Sequence, residues 1–100
     1  PFTSLEDDGL ANIVSKRMVL PGYPFTAAGQ LAMFRDIMAV VRAVPDGRGL
    51  GVFWWDATWT AVPGNGWEPG NPDSENGWEN QALFDFSGRA LPALDLFRYP

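Results

Sequence analysis

Apolar positions along this chain form a helical stripe, an unbroken run and an aromatic-rich loop, and each predicts a different element. Leu31, Phe34, Ile37, Met38, Val41 and Val44 recur at three- and four-residue spacing, which puts them on one face of a helix over Ala27–Val44. Thr26 suits the N-cap, where its hydroxyl takes a free backbone N–H. Pro45 stops the helix, and Pro45-Asp46-Gly47 makes the turn. The next run, Leu50 to Trp55, is continuous rather than alternating, and it predicts a strand over residues 49–56 buried on both faces, as in a parallel sheet. Helix, short glycine-bearing turn and buried strand make an α/β unit. Asp56 then stands at the C-terminal end of the strand, where (β/α) barrels place the mouth of their active site.

The remaining segments carry weaker patterns. Pro1 to Pro24 reads as a loop with Asp7-Asp8-Gly9 and Pro21-Gly22 as breakers, and Met18-Val19-Leu20 as a local packing patch. Ala57 to Glu79 is a long loop containing Pro63-Gly64-Asn65-Gly66-Trp67 and Pro69-Gly70-Asn71-Pro72, and loops of this length are functional or disordered. Asn80 to Phe86 packs locally, Ser87-Gly88 turns, and Pro92 opens a last short helix over Ala93–Arg98. One helix and one strand cannot close a sheet. The expected fold is therefore α/β, the closing segment of a larger α/β protein. Alone it would expose its helix stripe and strand edges and tend to associate.

Composition sharpens the functional reading. All five tryptophans (Trp54, Trp55, Trp59, Trp67 and Trp78) fall within 25 residues that also hold a dense Pro/Gly/Asn stretch, Pro63-Gly64-Asn65-Gly66 and Pro69-Gly70-Asn71-Pro72. Indole rings on such a loop suit the apolar faces of sugars, with carboxylates and amides taking the hydroxyls. A net charge of −5 without a basic run argues against nucleic acid and anionic membrane surfaces. No segment reaches membrane-spanning length. The absence of cysteine removes disulfides and thiol chemistry, and the absence of histidine removes Ser/His and Cys/His nucleophile pairs and histidine zinc sites. Pro1-Phe2-Thr3 lacks an initiating Met, so the N-terminus reads as cut or incomplete, with no signal peptide in the chain.

Three motifs, in order, resemble a known family: Gly22-Tyr23-Pro24-Phe25-Thr26 with Gly29-Gln30; Gly49-Leu50-Gly51-Val52-Phe53-Trp54-Trp55-Asp56; and Trp78-Glu79-Asn80-Gln81-Ala82-Leu83-Phe84-Asp85-Phe86. They resemble the C-terminal part of glycoside hydrolase family 53, the arabinogalactan endo-β-1,4-galactanases. The resemblance implies the last two βα units, incomplete, of a (β/α)8 TIM barrel. Residues 1–25 would follow strand seven, 26–44 would be helix seven and 49–56 strand eight; 57–79 would be the strand-eight loop and 80–100 the closing segment with helix eight. It implies a secreted, retaining hydrolase of galactan or arabinogalactan in which one glutamate acts as acid/base and another as nucleophile. Both would lie upstream, so no catalytic residue is expected here and the segment alone should be inactive. Its partners would be the polysaccharide and the rest of the barrel.

The resemblance also assigns site residues. Trp55 matches the family's tryptophan at the end of strand eight and would form a sugar platform. Asp56 stands where glutamate is usual, and its shorter carboxylate would meet a sugar hydroxyl. Trp54 replaces a usual tyrosine and points to the other side of the strand, for packing. Trp59 and Trp67 are further substrate-binding candidates, and Trp78 would anchor the loop. Bacterial members hold calcium through an Asp-Gly-His-x-Asn run, which Asp8, Gly9 and Asn12 match, with Leu10 in the histidine's place. A carbonyl there would still serve calcium, which takes carboxylate, amide and carbonyl oxygens alike. Glu79 or Asn76 would add a ligand from the second loop. An EF-hand is excluded, because Ser4 and Ser15 would occupy its first and last ligand positions. The alternatives are a stand-alone carbohydrate-binding module, a segment of another barrel glycosidase, and an interaction domain whose tryptophans are interface anchors.

Overall fold

The computed structural model describes residues 1–4, 12–60, 62–64, 66–71, 74 and 76–98. Its principal element is helix α1, Ala27–Arg42. The Thr26 hydroxyl accepts the Gly29 N–H at 3.0 Å, closing the first turn. The N-terminal turn abuts the preceding Pro24: a Cβ on Gly29 would lie 1.8 Å from the Pro24 carbonyl oxygen, so glycine alone fits. The helix ends two residues short of the predicted Val44. The Ala43 N–H bonds back to the Ala39 and Val41 carbonyls, and Val44 is already extended ahead of Pro45.

Beyond α1 the described backbone is held by short 3₁₀ turns, Lys16–Met18, Pro45–Gly47, Glu79–Gln81 and Pro92–Phe97. The predicted closing helix takes the last of these forms. Six residues are too few for a self-supporting α-helix, and 3₁₀ geometry suits so short a piece. This turn packs on α1.

The core is small. Phe34, Leu83 and Ala93 form its centre, with Met38, Val52, Trp54, Leu94 and Leu96 packed around them. The Trp54 ring meets Phe34 edge to face at 5.0 Å, and Phe97 covers the other side of Phe34 at 4.9 Å. Polar side chains stitch the same region. Gln30 Nε2 donates to the Ala82 carbonyl at 2.9 Å, and Trp54 Nε1 to the Gln81 carbonyl at 2.9 Å.

The structure corrects the predicted strand. Among the described residues no strand forms; only the isolated bridges Leu20–Tyr23, Glu68–Asn71 and Phe84–Ala90 occur. A strand exists through a ladder partner, and residues 49–56 have none among the described residues. They are not buried on two faces either. Val52 and Trp54 turn into the core, whereas Leu50 (94% exposed), Phe53 (104%) and Trp55 (78%) face outward. An open groove of about 530 Å³ runs between this segment and α1, lined by Met33, Phe34 and Ile37 on one side and Val52, Phe53 and Trp55 on the other. The packing patch predicted at Met18-Val19-Leu20 is likewise overturned: all three side chains are exposed, because the adjoining 3₁₀ turn buries none of its residues. No helix of the described residues is long and apolar enough to cross a membrane.

Candidate functional site

The tryptophans divide by face. Along the extended segment successive side chains point to opposite sides. Trp54 is pinned inward by Phe34 and by its hydrogen bond to Gln81, which leaves Trp55 pointing out. The chain then turns at once: Asp56 has a left-handed φ of 58°, and its carbonyl accepts the Trp59 N–H at 3.2 Å. The Ala57 carbonyl accepts the Leu83 N–H at 2.8 Å, tying this turn to the buried closing segment. Trp55 thus sits at the lip of this turn, largely exposed.

Asp56 is half-buried. Its Oδ2 is shut off from solvent and has no hydrogen-bond partner. Burial pushes its carboxyl above the ordinary carboxylate value, and a hydrogen bond from the Trp55 side chain opposes that shift. Trp59 is half-buried behind the turn.

Trp67 stands apart, 58% exposed, on a small closed turn. The Glu68 N–H donates to Ser74 Oγ at 3.0 Å, Asn71 Nδ2 to Glu68 Oε2 at 3.2 Å, and the Ser74 N–H to the Asn71 carbonyl at 3.1 Å. Gly66 makes this possible, since a Cβ there would lie 2.3 Å from Ser74 Oγ. Trp78 is half-buried and anchored through its N–H to Asn76 Oδ1 at 3.3 Å.

A second cluster joins the first loop to the end of the tryptophan loop. The Ile13 N–H donates to the Gly77 carbonyl at 3.0 Å. Asn80 Nδ2 donates to the carbonyls of Thr3, at 2.9 Å, and Val14, at 3.0 Å, while the Phe2 N–H donates to the Asn80 carbonyl at 2.8 Å. Asn12 and Glu79 therefore stand on facing segments. Glu79 is fully buried, and Asn12 Oδ1 is buried without a hydrogen-bond donor. A buried carboxylate and an amide oxygen lacking a donor are oxygen ligands of the type calcium takes, so these two fit the group. Asp8 and Leu10 lie outside the described residues. Among the described residues no group of three or more Asp, Glu, His or Cys is placed to hold a metal.

Sequence reasoning missed the polar framework of Gln30, Asn80 and Gln81. One signal was available: Gln30 lies one turn before Phe34 on the core face of α1, a position where a polar side chain needs an interior acceptor.

Residues 1–97 match the family model of Glycosyl hydrolase family 53. The chain is 34% identical over 100 residues to an uncharacterized protein encoded in the bgaB 5' region of Niallia circulans, covering 98% of this chain and 26% of that protein. It is 32% identical over 124 residues to the endo-beta-1,4-galactanase of Bacillus subtilis (strain 168), covering 98% and 29%, and 28% identical over 101 residues to the arabinogalactan endo-beta-1,4-galactanase of Cellvibrio japonicus (strain Ueda107), covering 98% and 25%. The chain spans about a quarter of the length of these curated relatives. No solved structure matches it. Motifs and matches coincide along nearly all of the sequence, and the chain belongs to glycosyl hydrolase family 53, a membership that implies a (β/α)8 barrel.

Proposed function

We propose that this sequence forms the closing part of a retaining endo-β-1,4-galactanase barrel, acting on galactan or arabinogalactan. Residues 1–25 follow strand seven, α1 is helix seven, 49–56 is strand eight, 57–79 its loop and 80–100 the closing segment. The observation that carries the reading is Trp55: an indole exposed at the C-terminal end of the eighth-strand segment, aimed outward by the anchored Trp54 beside it. That is where a barrel presents residues to its substrate. Asp56 stands next to this platform, and Trp59 and Trp67 extend the wall along the following loop.

In this reading the residues described here bind sugar and do not cleave it. The acid/base and nucleophile glutamates stand on other strands, and the segment by itself is inactive. The outward Leu50 and Phe53 and the groove against α1 are where the rest of the barrel packs; a neighbouring strand there would supply the missing ladder. The substrate is an extracellular polymer of pectin, so the enzyme is secreted. Calcium is a structural ion in this scheme. Asn12 and Glu79, with Asp8 and Leu10, would hold it and tie the two loops beside the cleft.

The full-length natural protein carrying this sequence should release reducing ends from β-1,4-galactan and not from β-1,4-mannan or β-1,4-glucan. Trp55→Ala should lower kcat/KM on galactan by at least about tenfold, the loss of a stacking platform. Equal hydrolysis of the three polymers would remove the galactanase reading, and an unchanged Trp55→Ala would remove the platform.

A further inference from the structure

Gln30 belongs to α1, not to the tryptophan loop, yet the structure ties it to that loop through a chain of hydrogen bonds. It lies one turn before Phe34 and is buried, with 4% of its surface exposed. Its Nε2 donates to the Ala82 carbonyl, 52 positions further along the sequence, at 2.9 Å. Ala82 is fully buried, so a carbonyl deprived of that donor would have to move to find another.

The residues on either side of Ala82 hold the tryptophan turn. The Gln81 carbonyl accepts Trp54 Nε1–H at 2.9 Å, and the Leu83 N–H donates to the Ala57 carbonyl at 2.8 Å. Trp54 and Ala57 bracket Trp55 and Asp56, where the backbone reverses at a φ of 58°. Both ends of this turn are thus fastened to three consecutive residues. Beyond the turn, that short rail is held at Leu83, whose carbonyl accepts the Leu91 N–H at 2.9 Å, and at its centre by Gln30.

We propose that Gln30 is a positioning residue for the sugar platform: by fixing residues 81–83 to α1 it fixes the turn that presents Trp55. A shift of the rail moves the Gln81 carbonyl and the Leu83 N–H together, so Trp54 and Ala57 follow, with Trp55 between them. Gln30 itself touches no sugar. This rests on the galactan-binding reading of Trp55.

The test measures kcat and KM on β-1,4-galactan with the full-length natural protein. Gln30→Met keeps the length of the side chain and removes the donor. It should raise KM about three- to tenfold, the scale of one lost hydrogen bond, and leave kcat within about twofold, the pattern of lost substrate binding. Trp54→Phe is a second variant should Gln30→Met fold poorly. It keeps a ring against Phe34, frees the Gln81 carbonyl and should raise KM in the same way. In the Trp55→Ala background neither change should raise KM further, because the ring through which both act is gone. A KM within twofold of wild type in the variants overturns the proposal. So does a fall in kcat at unchanged KM, which marks a smaller folded fraction, or a KM effect that persists undiminished without Trp55. If wild type leaves galactan intact, or Trp55→Ala has the KM of wild type, the platform reading itself has failed, and the inference falls with it whatever Gln30→Met does.

Discussion

Gly49 offers the sharpest test of how the site is held. It lies where the chain leaves the Pro45–Gly47 turn and passes under α1. A Cβ built on it would stand 1.7 Å from the Val41 carbonyl oxygen, 2.7 Å from the carbonyl carbon and 3.2 Å from Val41 Cγ1. Ordinary contact begins at about 3.4 Å, so the oxygen would have to retreat by roughly 1.5 Å or more. It is backbone and cannot swing aside, and it accepts the Val44 N–H at 3.2 Å and the Ala43 N–H. Overpacking costs about 1–3 kcal/mol where side chains can adjust. Disturbing two C-terminal hydrogen bonds adds about 1 kcal/mol each. Gly49→Ala should thus cost about 3–5 kcal/mol. It should also pry residues 50–55 from α1, withdrawing Val52 and Trp54 from the Phe34 cluster and loosening the turn at Trp55. The control is Gly22→Ala, with φ of 88° and nothing within 4 Å of the new methyl, where only the backbone conformation is penalised, by about 1–2 kcal/mol. Denaturant unfolding of both variants in the full-length protein, followed by tryptophan fluorescence, measures the difference. If Gly49→Ala proves no more costly than Gly22→Ala, the close passage beneath α1 is not a constraint on the fold.

Further predictions concern the loops. Asn80→Ala leaves the Thr3 and Val14 carbonyls without their donor and should cost about 2–3 kcal/mol, read by the same unfolding assay; Asn80→Asp should be no better, since a carboxylate donates nothing. The Tyr23 hydroxyl donates to Asp36 Oδ2 at 2.6 Å, and this bond, with the Asp36 charge, raises the phenol above its ordinary 10.0. Because the folded value is the higher one, the stabilisation is complete below pH 10.0 and is lost as pH rises through the folded value. Phenolate absorbance should show Tyr23 ionising late, and Asp36→Asn should bring it earlier. Under the calcium proposal, saturating calcium at about 100 times its Kd should stabilise the full-length protein by about 2.7 kcal/mol, and a chelator should reverse this. An identical melting temperature with calcium and with chelator would exclude the site.

What was legible in the chain was local. The three- and four-residue spacing located α1, Thr26 marked its start and Pro45 its end, because caps and prolines act within a turn of their own position. Asp56 and Trp55 were singled out by their place at the end of an apolar run, although the run forms no strand here. Its continuity was read as two-sided burial, yet among the described residues only Val52 and Trp54 of this run pack on the core, and no local pattern says which neighbour a strand will meet. The Asn80 clasp was illegible for a related reason. It reaches residues 66 and 77 positions away, and nothing in the Trp78-Glu79-Asn80-Gln81 sequence distinguishes an amide that holds a distant carbonyl from one that faces water.

That clasp also sets a schedule. A ribosome adding about 5–20 residues per second makes Val14 roughly 3–13 s before Asn80, and Thr3 earlier still. For that interval the two carbonyls lack this amide donor, so the first loop cannot take its final path until the chain has been synthesised past the tryptophan segment. The first loop is thus closed by a residue made after the whole tryptophan segment.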